Sequence, residues 1–369
     1  MRPQSGFTTL SVTLILMLIL LALSLLVGKV LVSDRRISLN EVQYRQAVAL
    51  AEQGLSDGFG RVASVDWRGS VTISGALGSY TVLAQNASAA VVGGTTVVPV
   101  VIRSVATLKD GQAQAVAEAK YVSKPVVTDI PGAPLTLAGG GGIGGTGIVL
   151  ANPNGGGPGV PVSVWTDETL DGHGNWETCH AENYSGGNSC SDNISSAKDG
   201  KKSDIKESDP DFPKDLVKYL FDIDGTVTSG NEWWNKLGVA KVACNDLATT
   251  AAKIIMVTGN CSLPDQLGSQ SSPVVLIVKD GDITMNAKSN FSGLLFAYST
   301  PTSPTATPTS YNIKLNGGAT LNGIFVANYE MDKLNGNYLV KYDESILNAI
   351  KHGVAFKELK IVPGSWRDW

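Results

Sequence analysis

The hydrophobic positions of the chain begin with one uninterrupted run near its N-terminus. Residues 7–28 contain no charged side chain and are rich in Leu, Ile, Val and Met. As an α-helix this run is about 33 Å long, enough to cross a hydrocarbon core of about 30 Å. It is longer than the apolar part of an ordinary signal peptide, and charged residues follow it instead of a small-residue cleavage site. The run therefore predicts a transmembrane helix.

The helical pattern continues past this apolar run. Aliphatic and aromatic side chains recur at steps of three and four residues, at Tyr44, Ala47, Ala51, Leu55 and Phe59. We expect one helix over residues 7–62, apolar on all sides over 7–28 and amphipathic over 29–62. Three glycines near its end predict fraying there: Gly54, Gly58 and Gly60. A plain membrane anchor would explain only the first half.

Alternating patterns replace the helical one in the next segment. Residues 71–82 and 97–122 are rich in Val, Ile, Thr and Tyr, as in β-hairpins, and Lys124-Pro125 ends the run. We predict a small antiparallel sheet over residues 63–125, laid on the amphipathic half of the helix.

The C-terminal part contains an internal repeat. Residues 283–297 align without gaps with residues 313–327, so that Gly293 matches Gly323. A third copy is expected at 135–151, with Gly145 at the equivalent turn and Ile148–Ala151 beside the strands of the other copies. Each copy has the pattern of a short strand, a tight turn and an apolar strand. This repeat predicts a β-solenoid, although β-hairpins that are similar only by convergence could produce the same pattern.

Residues 153–272 separate the third copy from the other two and are predicted to form an insertion. Helices are expected in it at 216–220 and 239–252, and residues 301–310 are expected to form an exposed loop. The predicted fold class is therefore α+β and mainly β: a helical spine and a small sheet, then a β-solenoid-like ectodomain over 126–369.

The composition agrees with an exported protein. Charged residues are only 17% of the chain, there are 41 glycines, and the formal net charge is −4 at pH 7. These values favour a β-rich periplasmic or extracellular protein over a cytosolic enzyme, and they give no indication of nucleic-acid binding.

The start of the chain, Ser5-Gly6-Phe7-Thr8-Thr9-Leu10, resembles the processing site of type IV prepilins. This resemblance implies that prepilin peptidase removes a leader of residues 1–6 between Gly6 and Phe7 and methylates Phe7. Main pilins carry a Glu four residues after that Phe, where this chain has Ser11. A buried carboxylate there needs the amine of a neighbouring subunit. Its loss is expected in a tip-located minor pilin of the PilX type.

A looser resemblance to large PilX-type ectodomains covers most of the chain beyond Asp209. It rests on Phe212-Pro213, on the order of Cys244 and Cys261, and on the terminal Pro363-Gly-Ser-Trp366. The resemblances imply a non-catalytic subunit that primes pilus assembly and supports adhesion or motility at or near the tip. Its partners would be other pilins and minor pilins and a tip adhesin. It would lie in the inner membrane, with a periplasmic ectodomain, before it enters an extracellular pilus.

Two alternatives remain at this stage. A tip pseudopilin of type II secretion shares the missing Glu but is not expected to carry the repeats. A membrane-anchored surface adhesin would need no Gly6-Phe7 site.

The cysteines predict disulfide bonds. Four cysteines in an exported chain allow two bonds in three pairings, and the neighbours Cys179–Cys190 and Cys244–Cys261 are favoured because both close short loops. A zinc site involving His173 and His180 is the alternative, but no metal-binding spacing supports it, so no metal and no cofactor are predicted.

Two further motifs suggest other chemistry. Phe221-Asp-Ile-Asp-Gly-Thr-Val-Thr228 resembles the nucleophile loop of haloacid-dehalogenase-like phosphatases. The resemblance implies Thr258-Gly259-Asn260 as the phosphate-binding turn and Lys279, Asp280 and Asp282 as the remaining site residues. A helix end followed by an Asp-Gly turn is the simpler interpretation, because the βαβ units of that fold are not evident. An acidic stretch around Asp171 (Asp167, Glu168, Asn175 and Glu177) is a weaker candidate for Ca²⁺ binding, without the spacing of an EF-hand.

Overall fold

The computed structural model describes residues 5–92, 95–109, 111, 113–187, 189–228, 230–301 and 306–369. They form two compact units, the first comprising Met1–Lys124 with Leu359–Trp369 and the second Pro125–Glu358. The first four residues of the expected leader and part of the expected loop at 301–310 lie outside the described residues.

The helices are α1 (Ser5–Val65), α2 (Leu216–Phe221), α3 (Trp233–Leu237) and α4 (Glu344–His352), with 3-10 turns at Ala181–Asn183, Cys244–Asp246 and Val354–Phe356. The strands up to the second disulfide are β1 (Gly69–Ser74), β2 (Gly78–Asn86), β3 (Ala90–Val92), β4 (Thr95–Val97), β5 (Val100–Leu108), β6 (Gln114–Pro125), β7 (Leu135–Leu137), β8 (Gly141–Ile143), β9 (Thr146–Leu150), β10 (Val164–Thr166), β11 (Leu170–Gly172), β12 (Glu177–Cys179), β13 (Ile205–Lys206), β14 (Ala240–Lys241), β15 (Ile254–Thr258) and β16 (Cys261–Leu263). The remaining strands are β17 (Gln266–Leu267), β18 (Val274–Lys279), β19 (Ile283–Met285), β20 (Asn290–Tyr298), β21 (Ile313–Leu315), β22 (Ala319–Ala327), β23 (Met331–Asn335), β24 (Asn337–Lys341), β25 (Lys357–Ile361) and β26 (Arg367–Asp368).

The first unit is built on α1, a continuous helix of 61 residues. The prediction of fraying near its glycines is wrong. A Cβ on Gly54 would lie 2.2 Å from the Ser104 hydroxyl, and one on Gly58 would lie 2.6 Å from the side chains of Val82 and Ile102. The glycines therefore let the sheet approach the helix, and this packing outweighs their low helix propensity.

The predicted antiparallel sheet is present in the first unit. Its strands follow the order β1-β2-β5-β6-β25, and β26 also pairs with β6. The inward side chains of β2 and β5 alternate with outward ones and pack on the buried face of α1. The C-terminal strands β25 and β26 were not predicted, because nothing local in their sequence indicates which sheet they join.

The second unit contains two parallel sheets that share one apolar core. The larger follows the order β12-β9-β24-β22-β20-β18-β15-β14, and the smaller follows β11-β8-β23-β21-β19-β16. Their facing side chains form one buried cluster, while the other face of the larger sheet packs on α2, α3 and α4. The second halves of the central strands β20 and β22 are buried on both faces, and their side chains from Leu294 to Ala297 and from Ile324 to Ala327 are accordingly all apolar.

The two strong repeats pair as expected. Strand β20 lies parallel to β22 with Gly293 opposite Gly323, and β19 pairs with β21 with Ile283 opposite Ile313. The third copy contributes β7 and β9 to the same sheet as β20 and β22, as expected, but its expected register is wrong. Ile148 pairs with Leu339, and Leu135 pairs with Phe325. A Cβ on Gly145 would lie 2.0 Å from the carbonyl oxygen of Gly336, so Gly336, and neither Gly293 nor Gly323, is its close neighbour.

Residues 153–272, expected as an insertion, contribute strands to these same sheets. Strands β10, β11 and β12 pair with β7, β8 and β9, and β15 pairs with β18. The helix predicted at 216–220 is confirmed as α2. The helix predicted at 239–252 is wrong, because its residues form β14, a 3-10 turn and a loop whose Leu247 is buried in the shared core.

Candidate functional site

The first half of α1 is the most exposed apolar surface of the described chain. The large hydrophobic side chains from Leu10 to Val42 are at least half exposed. The helix is long and apolar enough to cross a membrane, judged by its length and composition. Because exposing apolar surface to water is unfavourable, such a segment is suited to lipid or to the apolar surfaces of other proteins.

The predicted processing residues lie at the beginning of this helix. Gly6 and Phe7 belong to α1, which starts at Ser5. Residues 1–4 of the expected leader fall outside the described part of the chain.

The second half of α1 is fixed to the first unit by close packing. Ala47, Ala51 and Val62 are buried against Tyr80 and Ile102 of the sheet. The Tyr80 hydroxyl also donates a hydrogen bond to the carboxylate of Asp57 on the helix. These contacts hold the sheet on one face of the second half of the helix, whereas the large apolar side chains of the first half are exposed.

An apolar groove lies beside this packed half, within the first unit. Its volume is about 490 Å³, and it is lined by Glu52, Leu55, Ser56, Phe59, Tyr121, Leu359, Ile361 and Trp366. Trp366 and Ile361 are each nearly half exposed. The sequence did not predict this groove, because its walls come from the two ends of the chain.

The structure joins Cys179 to Cys190 and Cys244 to Cys261, the pairing that loop length favours. The half-cystines Cys179 and Cys261 lie in β12 and β16, which are end strands of the two parallel sheets. The disulfides are therefore located at end strands of these two sheets, Cys179–Cys190 on the larger and Cys244–Cys261 on the smaller. Among the described residues there is no cluster of three or more His, Cys, Asp or Glu side chains with the geometry to hold a metal ion.

The phosphatase-like stretch forms the predicted helix end and turn. Asp222 ends α2 in the left-handed conformation, and its carboxylate forms an ion pair with Lys218. The Gly225 N–H donates to the Asp215 carboxylate at 2.8 Å. In open α/β sheets the catalytic loops follow the carboxyl ends of parallel strands, whereas this stretch follows a helix.

The remaining residues of that motif belong to the parallel sheet. Thr258 and Lys279 are paired across β15 and β18, and the Lys279 ammonium contacts Asp280 at 2.5 Å. Asp280 also accepts hydrogen bonds from the backbone and hydroxyl of Thr300. Burial raises the pKa of Asp280, but the bonds from Lys279 and Thr300 outweigh that effect and hold its pKa below the ordinary value. These groups thus stabilise the turn between β18 and β19.

The acidic stretch divides between two places. Asp167, Glu168 and Asp171 line one polar cleft, which Glu330 also lines. The Asp167 carboxylate accepts a hydrogen bond from the Gly139 N–H at 2.7 Å. Glu177 instead accepts one from the Cys190 N–H at 2.8 Å. The five residues that the sequence grouped together therefore do not form one site.

Comparison with known proteins gave no match: no family model, no curated protein and no solved structure is significantly similar to this chain.

Proposed function

We propose that this chain is a minor type IV pilin of the PilX type, processed by prepilin peptidase at Gly6-Phe7. The observation that carries the proposal is α1, which begins at the prepilin-like motif, exposes an apolar first half and packs its second half under an antiparallel sheet.

The division of α1 suits two successive environments. In the inner membrane the exposed apolar half would be solvated by lipid, with the two units on the periplasmic side. In a pilus the same half would pack among the helices of other pilins, so the apolar surface would stay out of water at both stages. The proposed role is assembly and display, without catalysis.

Ser11 supports a position at or near the pilus tip. A subunit with no neighbour ahead of it has no amine with which a buried carboxylate would pair, so an uncharged side chain is less costly there. We propose that the chain helps to prime assembly and contacts other minor pilins and a tip adhesin, supporting adhesion or motility.

The second unit fits a β-solenoid-like ectodomain. The in-register parallel pairing of β18, β20 and β22, with Gly293 opposite Gly323, supports this assignment. Such a stack is stabilised by contacts between neighbouring repeats and displays its loops outward, as a recognition module requires.

Two other functions remain as alternatives. A type II secretion tip pseudopilin would use the same helix, and a membrane-anchored adhesin would use its first half alone. Cleavage at Gly6 would exclude the plain adhesin, since only the pilin-like proteins pass through prepilin peptidase.

Mass spectrometry of the protein co-expressed with a prepilin peptidase tests the proposal. We expect a mature chain that begins at N-methylated Phe7 and a Gly6→Val precursor that stays uncut. Gly28→Val is the matched control, because a Cβ on Gly28 contacts nothing within 4 Å, and this variant should be processed normally. A mature protein that begins at Met1, or one cut after the apolar run, would remove the pilus assignment.

A further inference from the structure

Strand β1 forms an open edge of the antiparallel sheet in the first unit. It stands first in the order β1-β2-β5-β6-β25, so only one of its two sides is paired. Its residues Ser70, Thr72 and Ser74 are exposed in the whole chain. An unpaired edge strand is a template for another strand unless it is very short, charged or covered.

The register of β1 shows which of its backbone groups point outward. The Gly75 N–H donates to the Gly78 carbonyl at 2.8 Å, so this pair belongs to the hydrogen-bonded set. Pairs along an antiparallel ladder alternate between hydrogen-bonded and non-hydrogen-bonded. The N–H and C=O groups of Ser70, Thr72 and Ser74 therefore point away from β2. Within the described residues, no backbone group bonds to them.

Other edges of the molecule are protected. The opposite edge of the same sheet, β25, has three charged residues among five. In the second unit, the Thr178 N–H of β12 donates to the Ser195 carbonyl. On β11, the N–H and C=O of Leu170 bond to Glu207 and Lys201. Strand β1, in contrast, contains no charged residue and no proline.

The sequence of β1 is nearly symmetric about Thr72. It is Ser70-Val-Thr-Ile-Ser74, with an aliphatic β-branched residue on each side of the centre and a serine at each end. When two copies pair antiparallel about Thr72, Ser70 faces Ser74 of the second copy, and Val71 faces Ile73. The three outward-facing residues of each strand then exchange hydrogen bonds with those of the other strand. Val71 and Ile73 pack together on the opposite face, and no like charges meet. The edge is therefore complementary to itself.

The packing of α1 determines the orientation of such a pair. A Cβ on Gly54 would meet Tyr80 of β2, and one on Gly58 would meet Val82. The helix therefore runs in the direction of β2 and against the direction of β1. Two β1 strands paired in this way are related by a two-fold axis perpendicular to the sheet. Their α1 helices consequently point in opposite directions.

We infer that β1 is a homotypic contact, which pairs antiparallel with β1 of a second copy held in a separate membrane or fibre. Copies in one membrane share the direction of α1, so this pairing does not occur between them. A five-residue strand forms a small interface, so many such contacts between two facing surfaces are needed for stable attachment. The inference takes from the proposed function only that the first half of α1 enters a membrane.

Clustering of vesicles tests this inference. The full chain is reconstituted into phosphatidylcholine vesicles, and flotation measures its insertion. We expect dynamic light scattering to show a several-fold larger hydrodynamic radius with the wild-type protein than without protein. Protein that does not float would overturn the membrane anchor and this inference with it. Protein that floats but leaves the vesicles dispersed, as an edge that pairs with a different chain would, overturns the inference alone.

A charge exchange at the centre of the pair distinguishes strand pairing from loss of folding. Vesicles with Thr72→Lys, and vesicles with Thr72→Glu, should each stay dispersed, because like charges then lie directly opposite each other. The two kinds of vesicle should cluster when they are mixed, since opposite charges then face each other.

Gln114 provides the matched control. It is exposed on β6, on the same face of the sheet as Ser74, and two strands separate β6 from β1. Gln114→Lys and Gln114→Glu should cluster vesicles as the wild type does, both alone and mixed. Wild-type clustering by Thr72→Lys alone, or Thr72→Lys and Thr72→Glu vesicles that stay dispersed when mixed, would overturn the inference.

Discussion

Replacing Gly323 with Ala should destabilise the second unit more than the same change at Gly157. Both glycines have positive φ angles, +124° at Gly323 and +115° at Gly157. They differ in their surroundings. A Cβ on Gly323 would lie 2.0 Å from the carbonyl oxygen of Gly293 in the neighbouring strand, whereas one on Gly157 would meet nothing within 4 Å.

The expected magnitude has two parts. The unfavourable φ angle costs about 1–3 kcal/mol at either position. At Gly323 the backbone of β20 must also move away, which adds about 1–3 kcal/mol, as overpacking of a core does. Because the strain is common to both variants, the difference between them isolates the close approach of the two repeats.

Urea unfolding of the full chain in detergent, followed by tryptophan fluorescence, measures this difference. Trp176 and Trp233 are buried in the second unit and report its unfolding. We expect a lower midpoint for Gly323→Ala than for Gly157→Ala, with a similar dependence on urea. Equal destabilisation by the two changes would show that the close approach of Gly323 to the Gly293 carbonyl does not affect the unfolding free energy, and the reasoning would be refuted.

Two smaller predictions concern the turns of the same unit. Asp343→Ala should lower the unfolding free energy by about 1 kcal/mol, because the carboxylate caps α4 through the N–H groups of Ser345 and Ile346. Urea unfolding measures this loss, with Glu344→Ala as the control. An equal loss in the control would contradict the capping role of Asp343. Since the pKa of Asp280 is held below its ordinary value, the stability it contributes is present above about pH 4 and is lost as the pH falls through the lowered pKa. Thermal unfolding should therefore depend less on acid pH in Asp280→Asn, and an unchanged pH profile would refute this assignment.

Local pattern was sufficient for several elements. The uncharged run and the three-to-four spacing predicted a helix that the structure extends from Ser5 to Val65, because helical contacts form between residues close in sequence. The gap-free match of 283–297 with 313–327 predicted the pairing of Gly293 with Gly323, since equal spacing of equal patterns leaves one register that buries every apolar side chain.

The tertiary structure decided which strands pair with each other and which segments pack into the core. The third copy took a different register because the free edge of β22 is shared by β24 and by β7, the first strand of that copy, so Ile148 pairs with β24 instead. The C-terminal strands joined the first sheet through contacts such as those between Ser365 and Lys120, 245 residues apart. Residues 239–252 do not form the predicted helix, because Leu247 is buried in the core and Cys244 is bonded to Cys261 of β16. Propensity acts over a few residues, whereas strand order is set by which edges remain open, and a linear pattern does not contain that information.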